Sequence, residues 1–172
     1  MKSKLLFISL NEINFDLIKG YLSDPRLKNF RTLSEKIKKT ECKEEYKNLE
    51  PWIQWPTIYT GKTASQHKQY RLGDSINFNH STIFNDIENL GVKVGAISPM
   101  NISNNLNAPS YFIPDPWTDT LPDKNYWSKT ISKTISYFVK SNSDIKFKLK
   151  YLFLFKIIFL KFFKITNIFL YL

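Results

Sequence analysis

Two short apolar runs, each followed directly by polar residues, constrain the fold of this chain more than any other feature. The first is Leu5–Leu10 (LLFISL), which precedes Asn11 and Glu12, and the second is Val92–Ser98 (VKVGAIS). A continuous apolar run is typical of a strand buried on both faces of a parallel sheet. Because helical patterns separate the two runs, the order of elements predicts an α/β fold with a parallel sheet and flanking helices.

The predicted helices have recognisable ends. The segment 23–39 begins with Ser-Asp-Pro, which combines an N-cap with proline in the first turn. The segment Ser81–Leu90 has its apolar residues on one face and ends at Gly91, the residue type that most often follows a helix. The other predicted elements are an edge strand within Thr40–Asn48, a short strand at Tyr111–Ile113 and a helix over Trp127–Val139.

The segment Leu49–Asp74 is rich in Trp, Pro, Thr and Gly and has no clean helical or strand period. A core element would show period 3.6 or 2. Irregular segments of this composition more often shape a site at the end of a sheet. We therefore expect functional residues here.

The basic charge of the chain does not indicate nucleic-acid binding. Six lysines in residues 145–172 account for six of the net +10 charges, which leaves +4 over residues 1–144. Only three of the 25 basic residues are arginine, although planar guanidinium groups are the preferred readers of bases and phosphates. The single Cys42 excludes an intrachain disulfide, and the N-terminus lacks a signal-peptide cleavage pattern, so we expect a cytoplasmic protein.

Residues 145–172 form a separate segment by composition, so we divide the chain into a domain over residues 1–144 and a Lys/Phe-rich tail. Four of the six tail lysines fall on one side of a helical projection, opposite a broad Phe/Leu/Ile face. This pattern predicts an amphipathic helical tail. Three interpretations stay open: a helix packed on the rest of the protein, attachment to an anionic membrane surface, and a non-native end. The alternation in IKFKLKY also allows a strand there.

Four pieces of the sequence together resemble the N-terminal part of the alkaline phosphatase superfamily, in its phosphodiesterase/nucleotide pyrophosphatase-like branch. They are FISLNEINFDLI, WPTIYTGKTASQH, YRLGD and GVKVGAISPM, and they cover about residues 4–120. The first is similar to the family's opening strand and acidic turn. The second is similar to its helix that ends in Thr-Gly and is followed by His. The resemblance implies a partial alkaline-phosphatase-like parallel sheet.

The resemblance also implies a chemistry and a set of residues. Enzymes of this family hydrolyse phosphate or sulfate esters with two divalent metal ions. The position of the first metal ligand corresponds to Asn11 or Glu12. The position of the family's Ser or Thr nucleophile, at a helix N-terminus, falls at Glu50-Pro51, where neither residue has a hydroxyl group. Glu50 could act there as a replacement nucleophile or as a metal ligand. We expect Trp52, Trp55 and Asn101 to contribute to substrate binding.

The family's remaining Asp and His ligands have no counterpart here, because no histidine follows His80. The sequence therefore predicts a truncated or degenerate hydrolase that is not active alone, with zinc or manganese bound only in a complete homologue. The alternative is a non-catalytic binding or membrane-peripheral protein that uses the basic tail. A nucleotide-binding Rossmann domain is a weaker option, since no Gly-rich loop follows the first apolar run.

Overall fold

The structure, a computed structural model, describes residues 4–38, 45–77 and 79–141. The chain divides into two units, Met1–Glu44 and Glu45–Leu172. The sequence did not predict this division. The predicted boundary between residues 144 and 145, and the amphipathic tail itself, lie outside the described residues and stay predictions.

The first unit contains two short helices, α1 (Phe15–Tyr21) and α2 (Lys28–Ser34). The Asn14 side chain begins α1 by accepting a hydrogen bond from the Leu17 amide at 2.9 Å. The predicted cap at Asp24 is confirmed, because its carboxylate accepts from the Arg26 amide at 2.9 Å. The turn that it caps is the 3-10 segment Pro25–Leu27, and α2 ends earlier than the predicted helix.

The predicted strand Leu5–Leu10 is wrong for this structure. Residues 4–10 adopt no regular secondary structure, and Leu5 and Leu6 are each 81% exposed. A buried parallel strand needs neighbours on both sides. The described part of the first unit contains no strand and no buried residue. The apolar run therefore has neither a pairing partner nor a core within that part of the unit.

Three helices precede the sheet in the second unit: α3 (Pro51–Thr60), α4 (Ala64–His67) and α5 (Ile83–Asn89). Gly61 ends α3 in the left-handed conformation, at φ 65°. The irregular Trp-rich segment thus contains a helix that begins beside Glu50 and ends at the Thr-Gly pair. Two 3-10 turns occur as well, at Tyr46–Asn48 and Asp74–Asn77. The turn at Tyr46–Asn48 contradicts the end of the edge strand predicted within Thr40–Asn48. The earlier part of that prediction falls on residues 40–44, which lie outside the described ranges.

The predicted helix 81–90 is confirmed as α5. The amides of Gly91 and Val92 donate to the carbonyls of Glu88 and Ile87 at 2.8 and 3.3 Å. Together with the φ of 76° at Gly91, these bonds form a Schellman motif, which ends the helix at the glycine that the sequence indicates.

Among the described residues, the sheet has two parallel strands, β1 (Gly95–Ile97) and β2 (Tyr111–Ile113), paired with Ala96 opposite Phe112. The predicted strands at Val92–Ser98 and Tyr111–Ile113 are confirmed as β1 and β2, although β1 is shorter than the predicted strand. The connection between them, residues 98–110, contains no helix. Since parallel strands point the same way, the residues that follow β1 and β2 lie at one edge of the sheet.

Helix α6 (Tyr126–Lys140) confirms the predicted helix over Trp127–Val139, and it packs against β2. The core of the unit contains Ile102 and Phe112, which are 0% and 1% exposed. The mixture of helices with a small parallel sheet confirms the general α/β class. Within the described ranges, no helix has the length and apolar character needed to cross a bilayer.

Candidate functional site

Two buried polar residues meet at the carboxyl ends of the parallel strands. Asn101 follows β1 and Asp115 follows β2, and both are 0% exposed. The backbone amide of Asn101 donates to Asp115 Oδ2 at 2.8 Å. Ser98 and Asn101 both have left-handed φ angles, 55° and 54°, which turn the chain sharply after β1. We refer to Asn101 and Asp115 together as the Asn101–Asp115 pair.

The Asn101 side chain connects three segments that are distant in sequence. Its Nδ2 donates to the Trp52 carbonyl at 2.9 Å and to the Arg71 carbonyl at 3.1 Å. Its Oδ1 accepts from the Gly73 amide at 3.1 Å. Both amide protons are therefore used within the protein. The geometry gives Asn101 a positioning role, because it fixes the first turn of α3 and the 71–73 turn at the edge of the sheet.

Asp115 is a buried carboxylate whose two oxygens are both occupied. Oδ1 accepts from the amides of Trp117 and Thr118 at 3.0 and 3.1 Å. Oδ2 accepts from Asn101 and, at 3.2 Å, from the Thr118 hydroxyl. A buried charge is tolerated when hydrogen-bond donors surround it in this way. Asp115 thus stabilises the turn after β2, as its position in a Pro-rich loop predicts.

Glu50 stands at the N-terminus of α3. Its backbone is extended, with φ −66° and ψ 140°, and its side chain makes no capping hydrogen bond. The side chain is exposed. The positive end of the helix dipole favours a carboxylate at this position. Two residues later, the Trp52 carbonyl binds Asn101, so the turn that carries Glu50 is fixed next to the Asn101–Asp115 pair.

The two tryptophans predicted to bind substrate each interact with other residues of the protein. Trp52 Nε1 donates to the Tyr70 carbonyl at 3.2 Å. The ring of Trp55 stacks on the ring of Tyr59, with the ring centroids 5.7 Å apart. The Tyr59 and Phe84 rings are also in contact, with their centroids 5.2 Å apart. The Trp52 backbone carbonyl binds Asn101, and the predicted substrate-binding role of the two residues stays a prediction. The structure places Trp55 against the core.

His67, 1% exposed, has both ring nitrogens in hydrogen bonds. Nδ1 accepts from the Gln69 amide at 3.0 Å, and Nε2 lies 2.9 Å from Thr57 Oγ1. The Thr57 hydroxyl in turn donates to the Ile53 carbonyl at 3.0 Å. The consistent assignment is a neutral ring with its proton on Nε2. Since neither nitrogen offers a free lone pair, His67 closes the turn after α4 and does not bind a metal in this arrangement.

The predicted metal ligands Asn11 and Glu12 belong to the first unit. Both are exposed, and Glu12 has a left-handed φ of 56° in a bend after the apolar run. Among the residues that the structure describes, no three His, Cys, Asp or Glu side chains are grouped so that they could hold a metal ion. The described residues therefore do not fit the two-metal site that the resemblance implies.

Sequence reasoning placed Asn101 near the site but missed its partners in the 71–73 turn and the central position of Asp115. The available signal was positional: both residues follow predicted strands.

Comparisons with known proteins do not place this chain in a family. A scan against protein-family models, a search of curated proteins and a search of solved structures each find no match to it.

Proposed function

We propose that this chain provides part of the scaffold of a hydrolase of phosphate or sulfate esters, of the alkaline-phosphatase type, and that residues 1–172 alone do not complete the catalytic set. One observation carries the proposal. The exposed Glu50 carboxylate lies in the first turn of α3, and Asn101 fixes that turn at the carboxyl edge of two parallel strands. In open α/β sheets, ligands bind at this edge.

In the proposed reaction, Glu50 is the nucleophile. A carboxylate oxygen forms a bond to phosphorus as the bond from phosphorus to the ester oxygen breaks, and the leaving alkoxide takes a proton from water and departs as the alcohol. Water then attacks the phosphorus of the acyl phosphate, which releases the phosphate product with a proton and regenerates the carboxylate. In a complete homologue, a zinc or manganese pair would neutralise the phosphoryl charge, with ligands that the described residues do not supply.

A zinc titration of the 172-residue chain tests the incomplete catalytic set. We expect fewer than two ions to bind tightly per chain by equilibrium dialysis. Any weak binding that Glu50 supports should be lost in Glu50→Gln and kept in Glu45→Gln, which changes an exposed carboxylate five residues earlier. Two tightly bound ions per chain would contradict the proposal.

The second candidate function is a non-catalytic, membrane-peripheral protein. The observation in its favour is the distribution of charge: residues 145–172 contain six lysines, no acidic residue and many Phe, Leu and Ile side chains. Such a segment binds anionic lipid through both charge and apolar burial.

Liposome flotation separates the two functions. We expect the full chain to float with vesicles of phosphatidylserine and phosphatidylcholine, and a chain ending at residue 144 to stay in the soluble fraction. Binding should weaken as salt rises, because salt screens the lysine charges. Equal flotation of both chains would remove the tail from this function.

A further inference from the structure

A shallow polar cleft of about 260 Å³, largely open to solvent, lies in the second unit between the residues before α5 and the loop that follows β1. His80 and Ser81 line it, together with five asparagines: Asn79, Asn85, Asn89, Asn105 and Asn107. No carboxylate and no aliphatic side chain is among these described lining residues. The cleft is separate from the Glu50 region and has no part in the proposed hydrolysis.

Hydrogen bonds hold the walls of the cleft in place without a ligand. Asn85 Nδ2 donates to the Asn105 carbonyl at 2.9 Å. The two oxygens of Glu88 accept from the amides of Asn107 and Ala108, each at 2.8 Å. These bonds hold the pKa of the Glu88 carboxyl below its usual value. The loop is therefore fixed to α5 before any ligand binds, which lowers the ordering cost of binding.

Several amide groups in the cleft remain available. The side chains of Asn79 and Asn89 make no hydrogen bond to other described residues, and Asn85 uses only one of its two N–H groups there. Asn107 Nδ2 donates one of its two N–H groups to Glu88 Oε2 at 3.4 Å, and the side-chain oxygen of Asn107 accepts no hydrogen bond from the described residues. A side-chain amide presents a donor and an acceptor close together. The cleft thus offers both donors and acceptors on neutral groups.

The surrounding charges do not favour an ion. Lys62 Nζ lies 3.3 Å from His80 Nδ1 on one side. On the other side, Asp86 accepts from the Ser81 hydroxyl at 3.2 Å, and Glu88 is bound to the loop. The absence of aliphatic lining among the described residues disfavours an apolar ligand as well. The volume is below the roughly 300–1,000 Å³ of pockets for drug-sized ligands, so the ligand is small.

We propose that this cleft binds one neutral sugar ring. Each hydroxyl of a sugar both donates and accepts, so adjacent hydroxyls match the amides of Asn79, Asn89 and Asn107 in pairs. The proposal does not rest on the proposed esterase function.

The test is an NMR titration of the full chain, observed at the side-chain amide signals of asparagine. The probes are methyl glucoside, methyl galactoside and methyl mannoside, with inorganic phosphate and cyclohexanol as comparisons. We expect at least one glycoside to shift the signals of Asn79 and Asn89 in a saturable way. Asn89→Leu should weaken that binding at least about tenfold. Asn29→Leu, an exposed position in α2, should leave it unchanged.

Three results would overturn the proposal: no saturable shift with any glycoside, binding of phosphate or cyclohexanol in place of sugar, or glycoside binding that Asn89→Leu leaves intact. If Asn89→Leu does not fold, Asn79→Ala replaces it, since Asn79 is exposed and lies outside the helices. Loss of binding in that variant, with an unchanged backbone spectrum, supports the cleft.

Discussion

At the scale of single residues, the Asn101–Asp115 pair shows what sequence could and could not predict. The position of Asn101 after a strand is local and was predicted. Its partners at Gly73, Arg71 and Trp52 stand 28, 30 and 49 residues earlier in the chain, and no local pattern encodes those distances. The structure also gives Asn101 a positioning role, because its side-chain amide is hydrogen-bonded to other residues of the protein.

Replacing Asn101 should destabilise the second unit strongly. Asn101→Ala leaves partly buried partners in three segments without their hydrogen bond to a side chain that is itself fully buried, at about 1 kcal/mol for each lost bond. Asn101→Gly should be about 1 kcal/mol less harmful, because glycine adopts φ 54° without strain. Urea unfolding measures both.

Asn104→Ala is the matched control for this prediction. Asn104 is half-buried, and its side chain accepts a single bond from the Leu106 amide at 3.3 Å, so its loss should cost less than about 1 kcal/mol. If Asn101→Ala is no more destabilising than Asn104→Ala, the positioning role of Asn101 is wrong.

At the scale of elements, the sequence predicted the helices that carry recognisable end signals and missed others. Helix α5 has a capping box at Thr82 and ends at Gly91, and the sequence analysis predicted the end at Gly91. The apolar run Leu5–Leu10 carries no such information, because a strand exists only with a partner. The sequence analysis did not predict helix α1. Its cap at Asn14 directly follows residues that the pattern assigned to a strand and a turn, so the start of a helix was not recognised there.

Asp123 connects two elements and should make their stability depend on pH. Its carboxylate accepts from the Phe112 amide in β2 and from the Asn125 amide just before α6. Burial opposes ionisation, but the hydrogen bonds from Ser128, Phe112 and Asn125 outweigh it and hold the pKa of Asp123 below its usual value. A lowered folded-state pKa stabilises the fold above the unfolded pKa, about 4. That stability is lost as the pH falls through the folded-state value.

We therefore expect Asp123→Asn to lower the free energy of unfolding at neutral pH and to flatten its fall in acid. Asp119→Asn, which removes an exposed acid of the same loop, serves as control. Urea unfolding of the three proteins from neutral pH to below pH 4 measures the effect. A wild-type acid profile in Asp123→Asn would show that the bonds of Asp123 do not stabilise the connection.

At the scale of the whole molecule, the general α/β class was predictable and the extent of the sheet was not. Two parallel strands are present among the described residues, where the sequence pattern and the resemblance predicted a larger sheet that included Leu5–Leu10. The class follows from the order of elements, which is local. The completion of a sheet depends on long-range pairing, which the sequence does not specify residue by residue. The alkaline-phosphatase-like architecture and the tail therefore stay proposals.

The central claim is that the Glu50 turn belongs to an ester hydrolase whose catalytic set needs more than these residues. The most direct measurement is hydrolysis of bis(p-nitrophenyl) phosphate and p-nitrophenyl sulfate, with zinc or manganese, by the product of the reading frame extended through any codons that follow Leu172. We expect turnover that Glu50→Gln lowers at least about a hundredfold and Glu45→Gln leaves unchanged, while the 172-residue chain shows none above the metal background. No turnover by the extended product, or turnover that Glu50→Gln does not affect, would contradict the claim.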